Sequence, residues 1–545
     1  MTSRLHESEV VEGRSPRGAR RVERKHNLLP ELLILVAVAA HLLVVLGARH
    51  FPYHDAINHL ARWTLISDEW GGRGATWARV DLRVFPSPYL GVDLLGASLV
   101  HLIRPANALR TLTALSVASL PASMYALLRV VAPQQRGWAL IGVLFSFGFF
   151  TLLGSLAEIL GLALSLAWLA LWWPRRENAS VGHVLLLALA CVVLYLVHLT
   201  APLSILVVIW IDYALAVFAR VKGTTRWSWA LLDSRVRTVV PITLVVGALV
   251  VGWIATSSSG PARDPFVWSG WEEKGQDLLA PFYSLSFTQL GVMAGGYAAS
   301  VIAFLIVNGM PRQRDTFAFS AAAFLALFLV FPSRLGTHTS MLDVRWLLPA
   351  YLLPFCVAAR PIRRSPTTAL LVPFVAALLH AAVIGAKARD FDRKLDDYDV
   401  VLAGIPPGTK ILPLEADPGR HRRVLPYHFY AMWHTVDRHG RVTGLFAFQN
   451  DQGTYENLRA LRIVDEMLVR VPDYWAIGGR FDYDWPTINR QYDFILLAGT
   501  DPVASSYLAS RAREVMRVGE VTLYETLRDA PPSITTSQSM RPAMP

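Results

Sequence analysis

Residues 28–48 read LLPELLILVAVAAHLLVVLGA, and residues 51–62, just beyond them, read FPYHDAINHLAR. The first run has the length of a membrane span, since a helix needs about 20 apolar residues to cross a bilayer. The second run places a carboxylate, two imidazoles and a guanidinium at the end of that helix. In a helix, Asp55 and His59 would lie one turn apart on one face, with Arg62 nearly a turn further on. The stretch therefore predicts a first span that delivers a polar cluster to a membrane surface.

The composition is that of a polytopic membrane protein. Hydrophobic residues make up 53% of the 545 positions and the mean hydropathy is +0.37, which argues against an ordinary soluble protein. In a membrane protein, the formal net charge of +11 is typical of basic cytoplasmic loops and of contacts with anionic lipids. Membrane lipids are therefore expected partners, and nucleic acid is not. Cys191 and Cys356 lie in apolar runs and are interpreted as small buried hydrophobes.

Hydropathy and loop charge together predict the topology. Basic clusters such as Arg175-Arg176 and Arg235 to Arg237 fall at alternate connections, which would place them in the cytoplasm. The piece from Tyr89 to Ile103 is interrupted by charge and is interpreted as an interfacial helix, because counting it as a span would invert every later loop. With the first, the predicted spans number about eleven: 28–48, 107–129, 137–153, 157–173, 183–198, 201–219, 238–256, 290–308, 317–332, 346–359 and 366–386.

The predicted fold class is mainly α: a polytopic transmembrane helix bundle followed by a small α/β extracytoplasmic domain. An odd number of spans from a cytoplasmic N-terminus places the tail outside, as expected of a multi-pass protein of the bacterial inner membrane. In the tail, short apolar runs at Lys410–Leu414 and Tyr492–Leu497 predict strands, and Glu456–Val469 predicts a helix. The predicted parts are a disordered basic leader (1–27), the bundle (28–386) with external loops 49–106 and 257–289, the α/β domain (387–528) and a disordered end (529–545).

Polar residues gather at the predicted outer ends of the spans. Ionisable groups at membrane depth are costly, so those beside spans are functional candidates. The first loop supplies Asp55 as a candidate base, with His54 and His59 as candidate metal ligands. The others are Glu158, His198, Arg62, Asp343 and Arg345.

Each candidate also has a structural interpretation. Glu158 would be favoured at a helix N-terminus by the helix dipole alone, and His198 can be a hydrogen-bonded histidine of the bundle. Arg345 can anchor lipid head groups, and Asp55 can simply start a helix. The shared face, rather than any single residue, favours a functional site.

With these residues in place, the chain resembles the GT-C superfamily of polytopic membrane glycosyltransferases. This group includes protein O-mannosyltransferases, the bacterial aminoarabinose transferase and the mycobacterial arabinosyltransferases. The resemblance rests on the acidic Asp55 in a large first external loop and on Glu158 at the outer turn before a span that ends in Arg-Arg. It also rests on the long loop 257–289 and the C-terminal external domain. The chain departs from the paired-acid pattern of several members, because His54 precedes Asp55.

The resemblance implies transfer of a sugar from a polyprenyl-phosphate-linked donor to a cell-envelope glycan, lipid or protein. Asp55 would be the general base that takes the proton of the acceptor hydroxyl, and Glu158 would be the second catalytic carboxylate. Arg345 and Arg62 would bind the leaving phosphate, with His198 and Asp343 also contacting substrate. A divalent metal ion held by His54 and His59 is left open as a cofactor. A transporter or flippase of a lipid-linked intermediate, and a non-catalytic scaffold with an external binding domain, remain the alternative functions.

Overall fold

The computed structural model describes a mainly helical chain. The described residues are 28–72, 80–82, 88–221, 233–257, 266–283, 285–309, 315–335, 339–357, 366–416, 429–443, 461–463 and 483–527. The predicted leader 1–27 and the predicted disordered end 529–545 lie outside them.

The helices begin and end where local sequence directs. Pro30 lies in the first turn of the first helix, where its missing N–H is not needed, and Asp315 caps a later helix by accepting from the Phe317 and Ala318 amides. The α-helices are α1 Leu29–Gly47, α2 Ala56–Trp70, α3 Leu90–Leu102, α4 Pro105–Val131, α5 Leu140–Ser146, α6 Phe149–Leu153, α7 Leu156–Trp172, α8 Val181–Val197, α9 Thr200–Val221, α10 Val236–Ser257, α11 Trp271–Asp277, α12 Phe287–Asn308, α13 Thr316–Val330, α14 Leu347–Leu352, α15 Pro366–Ala369, α16 Leu371–Gly404, α17 Trp433–Arg438, α18 Trp485–Gln491 and α19 Pro502–Ala509.

Within the described residues, eight helical segments are long and apolar enough to cross a membrane. Their outward faces are leucine-rich: Leu32, Leu35 and Leu43 of α1 are all exposed. An apolar outer face is what a lipid-facing helix needs. The segments are Leu29–Gly47, Pro105–Val131, Pro133–Leu153, Leu156–Arg175, Thr200–Val221, Val236–Ala255, Phe287–Asn308 and Thr367–Gly404.

The remaining predicted spans form shorter apolar helices. The spans predicted at 183–198 and 317–332 correspond to α8 and α13, of 17 and 15 residues, and the span at 346–359 corresponds to Val344–Cys356. The segment interpreted as interfacial forms α3, which is also short. The expectation of a mainly helical chain with many apolar helices is confirmed, and a total of about eleven spans stays a prediction.

A five-stranded sheet forms the core of the C-terminal part, with strand order β6-β5-β8-β10-β9. β5 pairs in parallel with β6 and with the central strand β8, and the other two pairs are antiparallel. The strands predicted at Lys410–Leu414 and Tyr492–Leu497 are confirmed as β5 and β8. The strands are β1 Val80–Leu82, β2 Phe266–Val267, β3 Arg334–Leu335, β4 Thr339–Ser340, β5 Lys410–Glu415, β6 Arg441–Val442, β7 Leu461–Ile463, β8 Phe494–Ala498, β9 Ala512–Val518 and β10 Val521–Thr526.

Two details of the tail differ from expectation. The boundary predicted at residue 387 falls inside α16, which runs without a break from the last predicted span to Gly404. The predicted helix Glu456–Val469 is wrong at Leu461–Ile463, which form β7 and pair antiparallel with β1 of the first loop. The rest of that predicted helix lies outside the described residues. Pairing with β1 gives this segment the backbone hydrogen bonds that a helix would otherwise have supplied.

Candidate functional site

Two of the loops predicted to be external are joined by a small sheet. β2, from the loop 257–289, pairs with β3, and β3 pairs with β4. Trp268 donates its indole N–H to the Val330 carbonyl at 3.1 Å, which ties the same loop to the end of α13. The segment that carries Asp343 and Arg345 follows β4 directly, so this sheet fixes where both residues enter the bundle.

Three of the candidates lie in one hydrogen-bonded cluster. Arg345 Nη1 lies 2.5 Å from Glu158 Oε2 and 2.8 Å from His198 Nε2, and the histidine lies 3.0 Å from the same carboxylate oxygen. Tyr89 and Thr200 complete the group: the Tyr89 hydroxyl is 2.9 Å from His198 Nε2. The five residues come from α7, from the α8–α9 turn, from the start of α3 and from the segment after β4. The fold therefore assembles the cluster from four separate parts of the chain.

His198 is contacted on both ring nitrogens. Its Nδ1 accepts from the Thr200 amide at 3.3 Å and lies 2.7 Å from the Thr200 hydroxyl, which donates to Glu158 Oε1 at 2.9 Å. Its Nε2 faces the Arg345 guanidinium and the Tyr89 hydroxyl. Glu158 is occupied on both oxygens. In this arrangement the Glu158 carboxylate neutralises the charge of the Arg345 guanidinium and fixes its orientation.

Arg345 retains one donor that no described residue accepts. Its Nε is buried and makes no hydrogen bond within the described part of the chain. A buried donor left unsatisfied costs about 1–3 kcal/mol, and such exceptions call for an explanation. An anionic oxygen of a ligand would satisfy it.

The cluster also contains strained backbone. Tyr89 has φ 74°, and Met341, in the segment that leads to Arg345, has φ 59°. Left-handed conformations cost a residue with a side chain about 1–2 kcal/mol and concentrate at functional sites. Of the three non-glycine residues with positive φ in the described chain, Tyr89 belongs to this cluster and Met341 lies four residues before Arg345.

Asp55 lies against the turn that leads into α7. Its amide donates to the Leu153 carbonyl at 2.8 Å, and the His54 amide donates to the Leu152 carbonyl at 3.0 Å. Gly154 ends α6 with φ +90°, and a Cβ there would lie 2.3 Å from the Ala56 nitrogen, so only glycine fits this contact. The Asp55 side chain is 24% exposed, whereas that of Glu158 is 5% exposed. Asp55 is therefore the more accessible of the two carboxylates.

Arg62 lies elsewhere, buried between α2 and α3. Its Nη2 pairs with Asp93 Oδ1, which also accepts from the Trp63 indole N–H at 3.2 Å. The Trp63 ring packs so closely on Gly96 that a Cβ there would lie 2.3 Å from it. The structure does not bring Arg62 together with Arg345, and its contacts are those of a residue that holds two helices together. Its predicted phosphate contact stays a prediction.

Asp343 is held by a lysine of the long loop. Lys274 Nζ lies 2.5 Å from Asp343 Oδ2 and donates to the Phe328 and Phe331 carbonyls at 2.7 and 3.0 Å. The other carboxylate oxygen accepts from the Val344 amide. Asp343 thus fixes the segment that carries Arg345, and a direct substrate contact stays a prediction.

The predicted metal ligands are only partly assembled. His54 Nε2 lies 3.5 Å from Asp55 Oδ1, but His59 stacks on Trp63. Among the described residues, three His or acidic ligand atoms come within metal-binding reach only at His50, Asp396 and Asp399. A metal held by His54 and His59 stays a prediction.

Sequence reasoning missed four residues of this region: Tyr89, Thr200, Asp93 and Lys274. Thr200 lies between the spans predicted at 183–198 and 201–219, and Asp93 is one of the polar residues that interrupt the apolar piece from Tyr89 to Ile103. Tyr89 had no signal, because a strained φ is not visible in sequence. Lys274 was visible only as one charge among several in its loop.

The comparisons with known proteins add no identity. No family model matches the chain, and no curated protein matches it. The fold and the site therefore define only a class of protein: an apolar chain of many helices with a buried Arg–Glu–His cluster at the ends of its helices.

Proposed function

We propose that this chain is a membrane glycosyltransferase that moves a sugar from a polyprenyl-phosphate-linked donor to an acceptor hydroxyl on the outer face of the inner membrane. The observation that carries the proposal is Arg345, buried in a cluster with Glu158 and His198 and left with an unsatisfied N–H. An anionic lipid phosphate would satisfy that donor. This assignment agrees with the GT-C resemblance of the sequence.

The chemistry divides between two groups. Asp55 takes the proton as the acceptor oxygen bonds to the anomeric carbon, and a positioned base contributes on the order of 10²–10⁴ in rate. The bond from that carbon to the phosphate oxygen breaks, and the lipid phosphate leaves with the electron pair. Arg345 stabilises the charge that develops there. Glu158 and Thr200 keep the guanidinium and His198 in place, and a divalent metal ion stays open as a cofactor.

The exposed aromatic residues of the loop 257–289 suit contact with a membrane surface. Trp268, Trp271 and Phe287 are all exposed at or beside the loop 257–289. Aromatic side chains at this density favour the head-group region of a bilayer. This loop would admit the lipid part of a donor. The acceptor would be a cell-envelope glycan, lipid or protein.

The topology can be tested with three cysteine variants. Glu272→Cys and Ser510→Cys should label from outside in intact cells, and Val181→Cys only after the membrane is opened. Each position is exposed, while the native Cys191 and Cys356 are buried and should not react. Labelling of Ser510→Cys only from the cytoplasm would overturn the outer-face site.

The activity is tested through Asp55. Mass spectrometry of lipid-linked sugars and envelope glycans in a deletion strain should reveal a donor that accumulates and a glycan that is lost. The wild-type gene should restore both, and Asp55→Asn should restore neither while giving normal protein levels and melting temperature. Glu272→Gln, an exposed carboxylate of the same predicted face, is the matched control and should complement. Full complementation by Asp55→Asn would remove Asp55 as the base.

One observation favours a transporter or flippase as second candidate. His41 of α1 and His380 of α16 are buried in apolar helices with their ring nitrogens 3.4 Å apart, and Gln289 lies 3.4 Å from His380. Ionisable groups inside spans are typical of transport pathways. A flippase would lose its phenotype in His380→Phe and keep it in Asp55→Asn, the reverse of the result expected for a transferase.

A further inference from the structure

A second polar cluster lies where the end of α1, the long helix α16 and the C-terminal part meet. The backbone amides of His50 and Arg49 donate to the two oxygens of Asp392, at 2.6 and 3.4 Å. These contacts place the buried His50 ring beside Asp396 and Asp399, which lie one and two turns further along the same face of α16.

Tyr430 assigns the proton on His50. Its hydroxyl donates to Asp399 Oδ1 at 2.8 Å and lies 2.7 Å from His50 Nδ1. A phenol carries a single O–H and donates a single hydrogen bond through it. Since that proton goes to Asp399, the hydroxyl accepts from His50, and Nδ1 is the protonated nitrogen.

The other ring nitrogen then presents a lone pair to two carboxylates. His50 Nε2 is buried and makes no hydrogen bond to any described residue, although Asp399 Oδ2 and Asp396 Oδ1 lie 3.1 and 3.7 Å from it. A lone pair and two carboxylates repel one another unless a positive charge lies between them. A histidine that binds a metal through one ring nitrogen typically donates the N–H of its other ring nitrogen to a hydrogen-bond acceptor, as Nδ1 of His50 does here.

Arg49 now neutralises these oxygens from outside. Its guanidinium lies 2.7 Å from Asp396 Oδ1 and 3.2 Å from Asp399 Oδ2, and its side chain is 66% exposed. An exposed ion pair of this kind is worth about 0–1 kcal/mol, so the guanidinium can turn aside at little cost. Its backbone would stay fixed by Asp392.

We propose that His50, Asp396 and Asp399 form a site for a divalent transition cation of the Zn²⁺ class. Their three ligand atoms lie within 4.8 Å of one another. In a tetrahedral Zn²⁺ site with bonds of about 2.1 Å, ligand atoms lie about 3.4 Å apart, so small rotations of the two aspartates close the site. One imidazole with two carboxylates suits Zn²⁺ or Mn²⁺ better than Ca²⁺, which takes six to eight oxygens.

The ion would join three parts of the chain. His50 follows α1, the aspartates belong to α16, and Tyr430 brings in the 3₁₀ turn Tyr430–Met432 of the C-terminal part. A bound cation would therefore fix the C-terminal part on the bundle. The site shares no residue with the proposed transferase site, and neither proposal depends on the other.

The test uses the full chain in detergent, stripped with a chelator and then titrated with Zn²⁺. The wild type should bind one Zn²⁺ per chain with a rise in melting temperature, and Co²⁺ should give ligand-field absorption bands. His50→Ala and Asp399→Asn should weaken binding at least tenfold. Asp396→Asn should do the same with an intact fold, because that side chain is half exposed. Arg49→Ala should tighten binding, because it removes the competing cation.

His101→Ala is the matched control, since it removes an exposed histidine of α3 outside both proposed sites, and its affinity for Zn²⁺ should equal that of the wild type. The proposal is overturned if the wild type binds no Zn²⁺, or if Asp396→Asn binds it as tightly as the wild type does. Loss of binding in His59→Ala alone would overturn it as well and would place the ion at the His54 and Asp55 turn.

Discussion

Arg62 and Arg345 are both arginines that face a carboxylate in the interior, yet their surroundings differ. The Arg62 side chain is 1% exposed and its partner Asp93 only 2%, and the pair is closed off between two packed helices. Arg345 is 13% exposed and shares Glu158 with a histidine, which a tyrosine and a threonine contact in turn. The comparison indicates that an ion pair alone does not define a site. Accessibility and a network of partners distinguish the second arginine from the first, whereas both have buried donors that no described residue accepts: Nε of Arg345, and Nε and Nη1 of Arg62.

The largest expected effect is on stability, at Arg62. Arg62→Ala leaves Asp93 buried without its charge partner, which should destabilise the fold by about 3–5 kcal/mol. Thermal unfolding of the purified chain measures the loss. Arg62→Met combined with Asp93→Leu removes both charges and should recover most of it. A single variant as stable as the wild type would contradict a structural role.

The next effect is on function, at Arg345. Arg345→Lys keeps the charge near Glu158 but loses the planar fork and its Nε donor, so donor turnover should fall about 10²-fold, or about 2.7 kcal/mol. Melting temperature should change little. Steady-state transfer with the donor that accumulates in the deletion strain is the measurement, and Arg62→Lys is the control, expected to lower stability while sparing activity per folded molecule. The opposite pattern would exchange the roles of the two arginines.

A smaller effect is expected from the hydroxyl of Tyr89. Tyr89→Phe removes one hydrogen bond to His198 and should cost about 1 kcal/mol, which is about fivefold in turnover. Tyr125→Phe is the matched control, because the Tyr125 hydroxyl contacts Glu31, which is not part of this cluster. Equal activity in both variants would remove Tyr89 from the site.

The smallest effect is expected at Met341. Met341→Gly relieves the left-handed backbone before Asp343 and should raise stability by up to about 1 kcal/mol. If the strain helps to position Arg345, turnover should fall as stability rises. A loss of stability would show that the side chain packs better than its φ suggests.

Sequence alone predicted the helical part well, because a membrane helix is written as a contiguous apolar run. It also placed Glu158, His198 and Arg345 on one face, since positive loop charges order the spans. It did not predict the contacts of Arg62, because the burial of that residue depends on Asp93, which the sequence presented only as an interruption of an apolar piece. Pairing between segments far apart in sequence has no local signal.

The continuation of α16 past residue 387 was not predicted, for a different reason. The sequence becomes polar there, and the polar tail was interpreted as a separate domain that begins at residue 387. A second signal was present: Ala388, Phe391, Leu395, Tyr398 and Leu402 are buried and recur every three or four positions. That spacing is typical of a helix with one apolar face, which continues beyond the apolar core of the bundle.

The unbroken α16 makes the spacing between bundle and sheet a matter of helical phase. Its 34 residues extend over about 51 Å, and each residue turns the helix by about 100°. A single inserted residue near position 390 would therefore rotate the C-terminal sheet by about 100° about the helix axis, while a whole extra turn would only shift it by about 5.4 Å along that axis. The number of residues in α16 is therefore constrained more by the rotation of the sheet about the helix axis than by the distance between sheet and bundle.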